Sequence, residues 1–152
     1  MEADMSPEMA SQVLSMLTGG GSMDHINTSL ALRLIPLAQE LEDSDLVEKL
    51  LEHARRVAKT DEEQGWARFE ALKVVEASLD SYLRLAEETE RMEGAQSLSA
   101  AVNHYVALLY LAEGQLDEAR ATAQHALRLR QTIEDKEGMA YGMALLMAVA
   151  KR

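Results

Sequence analysis

From Met23 onward no stretch of strict apolar/polar alternation lasts long enough for a strand, while apolar residues recur at helical spacing in segment after segment. Val and Ile are sparse; Ala, Leu, Glu, Arg and Gln, which lose little rotamer freedom in a helix, dominate. The expected class is all-α. Asn27-Thr28-Ser29 offers capping groups ahead of an apolar run to Leu41, in which Pro36 forces either a kink or a late start. Asp43-Ser44-Asp45 caps a helix from Leu46 to about Lys59, with Leu46, Leu50, Leu51, Ala54 and Val57 on one face. Thr60-Asp61 opens a series carrying Trp66, Phe69, Leu72, Val75, Leu79, Tyr82 and Ala86, which keeps helical phase without Gly or Pro. It reads equally as one helix to Met92 or as two meeting near Asp80-Ser81. The aromatics Trp66, Phe69 and Tyr82 are expected in the core.

The N-terminal segment has its own helix signals. Ser6 is a capping residue, Pro7 stands where its missing N–H costs nothing, and Glu8 suits the positive first turn. On a helical wheel Met9, Ala10, Val13, Leu14, Met16 and Leu17 fill one side, and Glu8, Ser11, Gln12, Ser15 and Thr18 the other. About three turns of isolated helix are marginal in water, so this one needs a surface. Residues 19–22 read Gly-Gly-Gly-Ser and are followed at once by Met23. Such segments are flexible tethers, and the chain resembles a fusion: residues 1–18 a ligand helix from a partner protein, 19–22 a linker, and 23–152 the domain that binds the helix. A native N-terminal helix on a Gly-rich loop is the alternative.

The stretch from Ala100 to Gln131, about a fifth of the chain, resembles a tetratricopeptide repeat, a helix–turn–helix of about 34 residues. The resemblance rests on Ala107 at the small position where the helices approach, Tyr110, Gly114 at the turn, Asp117-Glu118-Ala119 opening the second helix, and Ala126. Asn103, where the family prefers a large apolar residue, and Gln131, in place of the closing proline, depart from the pattern. LRLRQTIEDKEGMA from Leu127 is echoed by LRLAEETERMEGAQ from Leu83. The resemblance implies antiparallel helix–turn–helix repeats in a right-handed superhelix of about six or seven helices, with the N-terminal amphipathic helix in addition. It also implies that Val106, Ala107 and Tyr110 lie inside the repeat, and that His104, Leu108 and Leu111 line a peptide-binding groove.

The run Tyr105 to Ala112 is apolar on every side, which suggests burial all round. From Met139 to Ala150 there is no charged side chain, so Met139, Met143, Leu146 and Met147 form a possible second apolar surface that something should cover. A formal charge of −11 argues against nucleic acid and membrane as partners. The chain has no cysteine, which excludes disulfides and thiolate chemistry. No basic leader or membrane-length apolar run is visible, and the expected location is the cytoplasm.

Nothing points to catalysis, metal or cofactor. His25, His53, His104 and His125 stand apart from any paired ligand spacing, with His104 alone placed on the groove side. Asp61-Glu62-Glu63 and Glu87-Glu88 read as helix-opening or solvated acids. The functional expectation is a non-enzymatic module that binds an amphipathic helix of another protein. The alternatives are a self-assembling or autoinhibited sensory domain, in which the chain pairs as a homodimer or domain swap, and a small helical-repeat secretion chaperone.

Overall fold

The computed structural model describes residues 6–19 and 22–152 of the 152-residue chain. Gly20 and Gly21, the middle of the expected tether, lie outside the described residues, as does the side chain of Ala10. Among the described residues there are eight α-helices and no strand: α1 Pro7–Thr18, α2 Thr28–Glu40, α3 Ser44–Val57, α4 Asp61–Val74, α5 Leu79–Glu90, α6 Gln96–Ala112, α7 Leu116–Thr132 and α8 Lys136–Ala150. The chain divides into two compact units, Met1–Ala71 and Leu72–Arg152.

Side-chain caps set the starts of α1 to α4. Ser6 Oγ accepts from Met9 N (3.2 Å), Asn27 Oδ1 from Leu30 N (2.8 Å) and Asp43 Oδ1 from Leu46 N (3.1 Å). Thr60 Oγ1 accepts from Glu63 N while the Glu63 carboxylate reaches back to Lys59 N (2.7 Å), two donors satisfied at the head of α4. Pro36 sits inside α2, so the carbonyl of Leu32, four residues back, lacks its helical donor.

The helix ends use a device with no glycine signature in the sequence. Glu42, Glu76 and Glu134 adopt left-handed φ of 56°, 51° and 56°, the conformation that Gly94 and Gly114 adopt at φ 74° and 77°. Around Glu42, Glu76, Gly114 and Glu134 the chain closes the helix with paired backbone bonds, such as Glu134 N to Gln131 O (3.1 Å) and Asp135 N to Arg130 O (2.9 Å), which satisfy orphan carbonyls. The series from Asp61 to Met92 is accordingly two helices, parted at Val75–Ser78 by the left-handed Glu76 and the extended Ser78.

In the first unit Ala31, Leu34, Ile35 and Ala38 of α2 meet Leu46, Leu50, Leu51 and Ala54 of α3 in a buried core. Two long-range bonds tie the start of α2 to the end of α3. Thr28 Oγ1 donates to the Ala54 carbonyl (2.7 Å), and buried His53 donates Nε2–H to the Ile26 carbonyl (2.6 Å). Arg56 Nη2 donates to His53 Nδ1 (3.1 Å), an arrangement that requires the neutral ring protonated at Nε2. α1 packs on α2.

In the second unit α6 packs against α5, α7 and α8. Its core holds Tyr82, Leu85, Leu98, Val102 and Val106, and continues through Ala107, Leu111, Ala119, Ala123, Leu145 and Val149. Tyr82 packs against Tyr105 with the rings tilted by 41° and their centroids 4.9 Å apart. Buried Asn103 is accommodated because Nδ2 donates to Ser99 O (2.8 Å), one turn earlier on the same helix. The apolar run 105–112 is not buried all round: α6 has neighbours on three sides, and Leu108, on the fourth, is 42% exposed.

Candidate functional site

α1 presents its expected anchors unequally. Leu14 is 4% exposed and Val13 and Leu17 are half-buried, whereas Met9 and Met16 are open to solvent, Met16 at 65%. The helix is thus seated through the Leu14 side, and the two methionines turn outward. Leu17 also lines a cavity of about 350 Å³ with Met23, Lys49, Glu52, His53 and Arg56.

His104, Leu108 and Leu111 follow one another along α6, but they do not form one open surface. Leu108 is exposed, His104 is half-buried, and Leu111 is in the core against Leu145 and Val149 of α8. A leucine packed against α8 is closed to a ligand while that helix is in place. On α8 itself Met143 and Met147 are exposed, Met147 at 62%, together with Tyr141. Met139 and Leu146 are half-buried, Leu146 against the core.

His104 belongs to an arrangement that helical spacing alone does not reveal. Arg130 Nη1, on α7, donates to His104 Nδ1 at 2.9 Å. Burial, helped by the Arg130 charge, holds the His104 pKa below its ordinary value, so the ring is kept neutral as an acceptor. Burial also works against the Arg130 charge and the Asp135 carboxylate works for it. The arginine reaches His104 across the start of α8, where a Cβ on Gly138 would come within 2.8 Å of Arg130 Cδ and Nε and would clash with the Asp135 carboxylate. Gly142, one turn on, has Leu127 Cδ1 at 3.2 Å from its Cβ position. The signal that could have found this contact is the Gly138/Gly142 pair at i, i+4, a small-residue strip that lets a neighbouring helix approach.

Elsewhere in this unit His125 Nε2 donates to Glu90 Oε1 at 2.5 Å, an exposed link between α7 and α5. In the first unit Thr28, Ser29, Leu32 and Arg33 of α2 and Glu63, Trp66 and Glu70 of α4 line a half-open cavity of about 380 Å³. Phe69 and Tyr82 are buried as expected, while Trp66 is half-buried and lines that cavity. Among the described residues no helix is long and apolar enough to cross a membrane.

Comparison with protein-family models, with curated proteins and with solved structures finds no match for the chain.

Proposed function

We propose that residues 23–152 form a protein-interaction module for an amphipathic helix, and that residues 1–18 are an instance of that ligand held by a tether. The observation that carries the reading is the seating of α1: a 12-residue helix, too short to persist alone, that packs on α2 with its Leu14 nearly fully buried. Burying one leucine contributes ~1.5–3 kcal/mol, enough for weak binding that a short tether, at millimolar effective concentration, converts into occupancy. The mode is helix-in-groove, with Leu14 as the anchor and Val13 and Leu17 beside it.

The second unit supports the same class of function. α6, the turn at Gly114 and α7 have the composition of a tetratricopeptide-like repeat: Ala107, Ala119 and Ala126 are fully buried and Gly114 is left-handed. In this reading α8 opens a following repeat, and the outer side of α6 at Leu108, rimmed by His104, is a second place for a peptide. Such repeats bind protein segments and carry no chemistry of their own.

The full-length Leu14→Asp variant tests the reading. α1 should lose its seat, seen as hydrogen exchange along α1 rising to that of a free peptide. A synthetic peptide of residues 1–18, added to this variant, should then bind with saturable heat by titration calorimetry. A released α1 with no saturable heat overturns the proposal, and so does an α1 that stays protected despite the buried aspartate.

A second reading is self-assembly, favoured by one observation: Tyr141, Met143 and Met147 stand exposed on a helix with no charged side chain between Met139 and Ala150.

A further inference from the structure

The cavity between α2 and α4 has a composition unlike a packing defect. Its apolar part is Leu32 and half-buried Trp66, and Trp66 is buttressed by buried Phe69, ring centroid to centroid 6.2 Å. Glu63 and Glu70 stand one turn before and one turn after the tryptophan, so α4 offers acid, indole and acid on one face. The opposite wall is the Thr28, Ser29, Leu32, Arg33 face of α2. The Thr28 hydroxyl is committed to the Ala54 carbonyl, and Glu63 Oε1 accepts from Lys59 N at the head of α4. The formal balance of the lining is two carboxylates against one guanidinium, within a chain of charge −11.

We infer that this cavity is a binding site for an alkyl cation, a short aliphatic stem ending in an ammonium or guanidinium. The stem lies on Leu32 and Trp66, and the head is drawn to the indole face and to the Glu63 and Glu70 carboxylates. An indole attracts a cation through its quadrupole, and the attraction grows when the site is partly desolvated. At about 380 Å³ the space lies in the range of small-ligand sites and has room for such a group. Arg33 sets the limit on charge. It opposes a second positive group, so a monocation is preferred to a dication. The assignment is independent of helix binding, since it uses neither α1 nor α8.

Trp66 is the only tryptophan in the chain, and its emission reports the site directly in the intact protein. The probes are n-butylguanidinium, n-butanol and pentanoate, which share a stem and differ in the head. Butylguanidinium should perturb the emission saturably at about millimolar concentration, with butanol several-fold weaker and pentanoate inactive. Glu70→Gln should weaken the cation at least about threefold and leave butanol unchanged. Added salt should have the same selective effect. A peptide carrying one internal arginine separates the two sources of such a group. If it competes with butylguanidinium the natural ligand is a basic side chain; if only the free cation binds, it is a small amine or guanidine. Equal or tighter binding of butanol or pentanoate overturns the inference, and so does the absence of saturation by the cation. These outcomes are read on the wild-type chain and stand even if the Glu70 variant fails to fold.

Discussion

His104 shows how a single side chain couples packing to pH. Its ring is neutral because it is half-buried and faces the Arg130 guanidinium, and both effects depress its pKa. With the folded value below the unfolded one, the unfolded chain takes up the proton first as pH falls. The contribution of His104 to stability is therefore fully present above about pH 6.5 and is lost as pH drops through the depressed folded value. Arg130→Met removes one of the two causes. The expected outcome is a His104 pKa shifted upward in an NMR titration of its ring proton, with a shallower loss of stability in acid. An unchanged titration would show that the Arg130 charge does not reach the ring. The same contact predicts the cost of a methyl group: Gly138→Ala drives a Cβ into Arg130 and Asp135 and should destabilise the second unit by ~1–3 kcal/mol, read as a lower midpoint in a denaturant melt.

At the level of helices, the starts of α1 to α4 were legible in the sequence and several of the ends were not. Asn27, Asp43, Thr60 and Ser6 announce their helices because a short polar side chain at the cap is a local chemical signal. Glu42, Glu76 and Glu134 hold the left-handed position in which glycine is the expected residue, so the breaks they make carry no local signature; for this reason α4 and α5 could be read as one helix. The strain is testable. Glu134→Gly should stabilise the chain by roughly 0.5–1 kcal/mol, since relief of the left-handed backbone outweighs the added freedom of the unfolded chain; a lower melting temperature would show the reverse. The candidate site was legible only in part, because spacing reveals which residues share a helix face but not which neighbour covers it. Leu108 and Leu111 are three residues apart on α6, yet α8 buries one and leaves the other in solvent. Two variants separate packing from surface: Ala119→Leu, in a fully buried contact, should cost ~1–3 kcal/mol of stability, whereas Leu108→Glu should leave the circular dichroism melt near that of the wild type. Unfolding by Leu108→Glu would mean that this face is covered.

For the whole molecule two forces oppose each other when copies meet. The uncharged exposed side of α8, with Met143 and Met147 outermost, favours association by removing apolar surface from water. A charge of −11 on every copy opposes it at long range. The apolar term is short-ranged and nearly indifferent to salt, while repulsion between exposed charges is screened within a Debye length of about 10 Å at 0.1 M ionic strength. If α8 is a self-assembly surface, association must therefore strengthen as salt is raised, the opposite of an interface built on ion pairs. Sedimentation equilibrium at low and high salt should show a monomer–dimer equilibrium moving toward dimer with increasing salt. Met147→Glu should remove the dimer at every salt concentration, since it places a carboxylate at the centre of the apolar face. A dimer that salt dissolves, or that survives Met147→Glu, would place the contact on another surface, and a monomer under all conditions would leave α8 to a different protein and helix recognition as the sole function.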